Sequence, residues 1–267
     1  MKKESISLLE KDGFVVLPLL NKKPLLELQK IIRSFFHSVF HSEPDEWHKK
    51  NADQEAQIEL VKKISDKISE SGLTAELIES NIDYFVPLLG PDIDIQNIPH
   101  LRISRPMKES DLINWHRDTF YGNLPWEMNI WFPLFPLRRG AGLRILAGSH
   151  LGPSVNIREV KDLDPFRRTV TKGSLANQVG YLYSPKTDDT IANMKLSQTK
   201  LLSPKVGEII LFFGCAVHKA ENTSKYTRIS IDLRVRNAHT KTNTKANYYK
   251  PLSRGIIENC VSQFSII

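Results

Sequence analysis

Thr227-Arg228-Ile229-Ser230-Ile231-Asp232-Leu233-Arg234-Val235 alternates polar and aliphatic side chains without a break. Residues two apart point to the same side of an extended strand. Ile229, Ile231 and Leu233 therefore make one face, and Arg228 and Ser230 share the other. The same period of two runs from His100, where Leu101, Ile103 and Arg105 alternate with Arg102 and Ser104 until Pro106 ends the run. Asn114 to Thr119, Glu127 to Phe135, Leu143 to Ala147 and Glu208 to Phe213 complete the strand candidates. Turns fall at Gly122-Asn123, Arg139-Gly140-Ala141-Gly142 and Val206-Gly207. Many short strands broken by glycine and proline, with helices mainly before them, predict a mainly β jelly roll rather than a parallel βαβ fold.

Upstream the period changes. Glu10-Lys11-Asp12-Gly13-Phe14-Val15-Val16-Leu17-Pro18 reads as a helix end, a glycine stop and a short strand. Beyond Pro24, Leu25, Leu28, Ile31, Ile32, Phe35 and Phe36 recur at helical spacing, as do Ile58, Val61, Ile64 and Ile68. We read one domain over 1–267: a helical layer at 1–97, a jelly-roll core at 98–237 carrying a lid-like insertion at 151–205, and a tail at 238–267.

Lysine and arginine number 37 against 30 aspartate and glutamate, a net charge of +7. The surplus is scattered over short clusters (Arg138-Arg139, Arg167-Arg168, Lys241 to Lys245), which reads as a solvated surface rather than a nucleic-acid face. Two cysteines, Cys215 and Cys260, exclude a disulfide framework and fit a reducing cytoplasm. The first residues lack the apolar core of a secretion signal, and no stretch has the 18 or more apolar residues of a membrane span.

Trp115-His116-Arg117-Asp118-Thr119 sets an imidazole and a carboxylate two residues apart. With a second imidazole they would make a 2-His-1-carboxylate facial triad, which holds non-haem Fe(II) and leaves sites open. His218 best supplies it, standing just past the apolar run Glu208 to Phe213 and the turn Gly214-Cys215-Ala216. Arg228, ten residues on, offers a planar fork for a carboxylate, with the Ser230 hydroxyl beside it.

At these residues the chain resembles the phytanoyl-CoA dioxygenase-like group of Fe(II)/2-oxoglutarate oxygenases. The opening Glu10 to Val16, the His116-Arg117-Asp118 motif, Gly148-Ser149-His150, and Gly207-Glu208 to His218 followed by Arg228-Ile229-Ser230 all match that pattern in order. The resemblance implies a double-stranded β-helix, cupin-like core. It implies Fe(II) on His116, Asp118 and His218, and 2-oxoglutarate paired through its C5 carboxylate with Arg228 and Ser230. Trp131 and Asn129 fall where the family places groups beside the co-substrate. With O₂, the implied reaction hydroxylates an unactivated C–H bond of a small molecule and releases succinate and CO₂. Halogenating relatives carry a small residue in place of the carboxylate, so Asp118 implies hydroxylation. Desaturation, epimerisation or cyclisation of a sugar, amino acid or natural-product intermediate uses the same triad and stays open, as does a jelly-roll binding protein without catalysis.

Arg102 is read as a contact for an anionic substrate or the co-substrate, or as a surface arginine. Thr119 is read as a substrate contact or a backbone partner, and His150 as a substrate contact near the site mouth or a hydrogen-bonded structural histidine. Trp126 is read as pocket wall or core. Arg158, Arg167 and Arg168 in the insertion point to an anionic or phosphorylated substrate.

Overall fold

A computed structural model describes residues 1–121, 123–152, 189–241 and 247–264. Most of the insertion with Arg158, Arg167 and Arg168, most of the Lys241 to Lys245 cluster and the final three residues lie outside the described residues.

Two antiparallel sheets face one another. The larger, among the described residues, has the order β1 (Phe14–Pro18), β7 (Glu208–Phe213), β4 (Met128–Pro133), β9 (Arg228–Asn237), β2 (Ile93–Gln96) and β10 (Tyr249–Ser253), with β3 (His100–Ser104) also paired to β9. The smaller runs β6 (Thr199–Leu202), β5 (Ala141–Leu146), β8 (His218–Asn222). Helices α1 (Lys3–Asp12), α2 (Lys23–Phe40), α3 (Gln54–Ser71), α4 (Leu73–Glu79) and α5 (Val86–Leu89) precede the sheets' central strands, and a further helix spans Ile256–Phe264. This is the expected jelly roll with its N-terminal helical layer.

The alternation in β9 decides how the layers stack. Its aliphatic face, Ile229, Ile231, Leu233 and Val235, is fully buried in the main core with Ile130 and Phe132 of β4 and with Leu28, Ile32 and Phe36 of α2 and Ile64 and Ile68 of α3. Each such side chain withdrawn from water contributes about 1.5–3 kcal/mol. The opposite face turns toward the small sheet. There Phe14, Trp131, Ile210 and Phe212 meet Leu143 and Ile145 in a second cluster, and Arg228, Ser230 and Arg234 are buried on β9. A strand facing two cores has placed its charges in the inner one, where only ligands or counter-charges can satisfy them.

Three expectations are corrected. Asn114 to Thr119 is not a strand: His116 forms one isolated bridge to His218, and Asp118 opens a 3₁₀ turn, Asp118–Tyr121. The chain bends there because Asp118 N–H bonds Gly214 O at 2.8 Å and its carboxylate is tied into the large sheet. Strand β2 lies inside the segment read as helical, because four residues are too few for a period to show. Strand β10 lies inside the segment read as tail. Its Pro251 marks an edge strand, which lowers its sequence signal.

Gly13 ends α1 at φ +84°, and a Cβ there would stand 2.5 Å from His150 Nδ1. Gly13→Ala is expected to cost more than about 1 kcal/mol, from the left-handed backbone and the contact together. A lowered thermal midpoint, partly recovered when His150 is also made alanine, checks both contributions.

Candidate metal centre

The two imidazoles are brought together by the backbone. His116 N–H bonds His218 O at 3.0 Å and His218 N–H bonds His116 O at 2.9 Å, setting the ring centroids 4.2 Å apart. Each ring donates Nδ1–H to a carbonyl two residues back, His116 to Asn114 O at 2.6 Å and His218 to Ala216 O at 2.9 Å. A carbonyl only accepts, so both rings are the tautomer with the lone pair on Nε2. Those Nε2 atoms lie 3.3 and 3.8 Å from Asp118 Oδ1. One potential ligand atom from each of the three residues falls within 4.8 Å of the others, and all three side chains are buried.

The carboxylate is held asymmetrically. Asn129 Nδ2 donates to Asp118 Oδ2 at 2.6 Å, and Arg234 donates to the same oxygen from Nε at 3.1 Å and from its terminal nitrogen. Among the described residues, Oδ1 is buried with no hydrogen-bond partner. Such an atom costs free energy unless something fills the gap, and it points at two Nε2 lone pairs. Oxygen and imidazole donors in this facial arrangement suit a divalent first-row metal.

Charge supports this. Burial alone raises a carboxyl pKa, yet the Arg234 guanidinium beside it holds Asp118 well below the usual range. Burial, reinforced by His116, pushes His218 down to about 3, which keeps it neutral and able to ligate. Removing the charge at Asp118 leaves Arg234, itself fully buried, with only the more distant Asp232 Oδ2 at 3.9 Å as counter-ion. Asp118→Asn is therefore expected to destabilise the metal-free protein by about 3 kcal/mol at neutral pH. Because the folded pKa is depressed, that difference is present above the unfolded carboxyl value and shrinks as pH falls through the folded one. Denaturant titrations with chelator at neutral and acid pH check the sign.

Arg228 is buried next to this group. Its Nε donates to Ser104 Oγ at 2.9 Å and one terminal nitrogen to Gly142 O at 2.9 Å, and its guanidinium lies 5.6 Å from the Trp131 ring centroid. Among the described residues no carboxylate pairs with it. Burial, with repulsion from Arg102, lowers its pKa to about 10. Arg228, Trp131, His116, His218, Arg102 and Asp232 line one cavity, closed on the far side by Leu143 and Ala220 of the small sheet.

The remaining candidates separate. Arg102 faces this cavity and lies 3.4 Å from Asp232 Oδ2. Ser230 shares the face of Arg228 but its hydroxyl is buried and unpartnered; Ser104, on the neighbouring strand, holds the guanidinium. Asn129 donates to Asp118 Oδ2, a placement that follows from its pairing across from Arg234 in the β4–β9 register. Thr119 Oγ1 is buried without a partner beside the carboxylate. His150 faces the N-terminal segment: Nε2 bonds Glu10 O at 2.8 Å and the ring stacks on Phe213 at 5.1 Å. With Gly148 N–H on Asp12 O at 2.9 Å, the two motifs Glu10 to Val16 and Gly148 to His150 pack on each other. Trp126 is exposed.

Three residues escaped the sequence reading. Arg234 repeats the alternation of Arg228 and Ser230 six residues on, which was the available signal. Ser104 is visible only through the β3–β9 register. Arg117, between the two metal-facing residues and fully buried, donates to Ser149 O at 2.7 Å, to Cys215 O and to Thr190 Oγ1 at 3.1 Å, tying this segment to the turns around it.

No protein-family model and no curated protein matches this sequence. Solved structures share the fold. The apo non-heme monooxygenase ThoJ matches with TM-score 0.54 at 15% identity, over 93% of this chain and 83% of that one. The non-heme alpha ketoglutarate dependent carbocyclase SnoK from nogalamycin biosynthesis matches with TM-score 0.52 at 15% identity, over 98% and 90%. The epimerase SnoN in complex with Fe3+, alpha ketoglutarate and nogalamycin RO matches with TM-score 0.51 at 14% identity, over 92% and 88%. Among the described residues, no helix is long and apolar enough to cross a membrane.

Proposed function

We propose that this chain is an Fe(II)- and 2-oxoglutarate-dependent oxygenase, one domain over 1–267, that hydroxylates an unactivated C–H bond of a small molecule and releases succinate and CO₂. One observation carries the reading: two imidazole Nε2 atoms and a carboxylate oxygen that has no hydrogen-bond partner among the described residues converge on one point, and the two imidazoles line a cavity with a buried arginine that no described carboxylate pairs. His116, Asp118 and His218 would hold the metal. Arg228 would pair with the C5 carboxylate of 2-oxoglutarate. When bound, Fe(II), 2-oxoglutarate and O₂ together supply the oxidising power that no side chain has.

The chain's own residues do the rest. Ser104 and Gly142 O fix the Arg228 fork, and Trp131 covers its face. Ile113, Trp131, Leu143 and Ala220 supply the apolar part of the cavity wall, and Ile145, Ile210 and Phe212 pack with Leu143 and Trp131 in the inner cluster. Arg102 adds a second cation on the wall and suits an anionic small molecule. The resemblance to the phytanoyl-CoA dioxygenase-like group and the carboxylate at position 118 both support hydroxylation. Purified protein incubated with Fe(II), ascorbate and 2-oxoglutarate is expected to bind the co-substrate and form succinate, at least through uncoupled turnover. Absence of both binding and succinate sinks the reading.

A second reading, epimerisation or carbocyclisation with the same cofactors, is favoured by likeness in fold to SnoN and SnoK. Product analysis separates the two: hydroxylation retains an atom of ¹⁸O₂, whereas epimerisation retains none.

A further inference from the structure

Asp118 offers two oxygens, and only one faces the imidazoles. Oδ2 receives three donor contacts, from Asn129 Nδ2 and from Nε and a terminal nitrogen of Arg234. Asn129 and Arg234 are directly paired residues on β4 and β9, so the register of the large sheet sets the spacing of the grip. Arg234 is anchored in turn, donating from its other terminal nitrogen to Gln96 Oε1 at 3.2 Å. Both donor side chains are buried, and Arg234 is held charged: burial lowers its pKa, and Asp118 more than offsets that. A carboxylate so fixed cannot turn its second oxygen toward a metal without breaking a buried ion pair.

We propose that Arg234 and Asn129 are positioning residues that confine Asp118 to ligation through Oδ1 alone. The inference rests on the metal-site reading above and adds a role for two residues that would not touch the metal. A facial triad leaves one face of an octahedral metal open; a co-substrate binding through two oxygens takes most of that face, and a chelating carboxylate would crowd it and take the place left for O₂. The grip at Oδ2 thus protects the open position beside the co-substrate.

The test is Co(II) loading followed by 2-oxoglutarate, monitored by Co(II) visible absorption and by calorimetry, in wild type, Asn129→Ala, Arg234→Met and Arg234→Lys. Asn129→Ala removes a neutral donor and guards against a charge variant that does not fold. The expected result is near wild-type Co(II) affinity in Asn129→Ala, an altered Co(II) spectrum before 2-oxoglutarate is added, and 2-oxoglutarate affinity about 10- to 100-fold weaker. Arg234→Met is expected to show the same change more strongly, and Arg234→Lys to recover part of it. Folded variants that keep wild-type spectra and 2-oxoglutarate affinity overturn the inference. So does a parallel loss of Co(II) and 2-oxoglutarate binding, which marks a merely structural role. Wild-type protein that takes up no Co(II) removes the underlying reading instead, and the inference with it.

Discussion

His116→Ala is expected to weaken divalent-metal binding by more than about 100-fold, since altering even the outer partners of metal ligands commonly costs 10- to 100-fold. The size follows from the geometry. The site has three donors drawn from two segments that the His116–His218 backbone bridge brings together, so the remaining His218 and Asp118 would hold a metal by two atoms. The fold itself should survive. Both backbone hydrogen bonds of the bridge remain in the variant, and the His116 side chain lies outside the two apolar cores. Calorimetric titration with Co(II), beside a circular dichroism spectrum like that of wild type, checks both halves. Tight Co(II) binding by the folded variant would show that the metal sits elsewhere.

Arg228→Leu is expected to leave metal binding near wild type and to abolish 2-oxoglutarate binding. Arg228 touches none of the three ligands; it sits on the same cavity wall with its fork set by Ser104 and Gly142. Losing one partner of a buried charge pair costs about 3–5 kcal/mol, or roughly a few hundred to a few thousand-fold in affinity. The apo protein, by contrast, should be no less stable, because burial already disfavours the charge, lowering the Arg228 pKa to about 10. A thermal midpoint that holds or rises while 2-oxoglutarate binding vanishes identifies the arginine as a ligand group rather than a structural one. Ser104→Ala, which removes the acceptor for Nε, should weaken the co-substrate by a smaller factor.

The strand alternation made the jelly roll legible, because β9 and β3 each bury one aliphatic face and keep a period of two, whereas β7 shows instead as an unbroken apolar run because both of its faces meet a core. His116, Asp118, His218 and Arg228 were legible as residue types at suggestive spacings. What failed was local geometry. Asn114 to Thr119 has a strand-like look, yet its conformation is fixed by partners far away in sequence, Gly214, Asn129 and Arg234. The resemblance sets Asn129 beside the co-substrate, and its donation to Asp118 is not readable from one sequence, because position on a strand gives a face but not a partner. For His150 the motif leaves two readings, and the structure matches the hydrogen-bonded structural one, with the ring packed on the Gly13 turn. Strands β2 and β10 escaped because one is four residues long and the other carries a proline. Each of these depends on register between strands, which a single sequence does not display.

The two buried arginines of β9 share this logic. Six residues separate Arg228 from Arg234, so both point inward, and their neighbours give them opposite tasks. Arg234 meets a carboxylate of the chain itself and is consumed in holding it. Arg228 meets a hydroxyl, a carbonyl and an aromatic face, and its charge stays available.

The most direct measurement is an anaerobic titration of the purified protein, first with Fe(II) and then with 2-oxoglutarate, followed by visible absorption. The account requires one Fe(II) per chain, then a metal-to-ligand charge-transfer band that appears only with 2-oxoglutarate and is missing in both Asp118→Ala and Arg228→Leu. Protein that binds Fe(II) with no such band, or gives the same band in the Asp118→Ala variant, would contradict it.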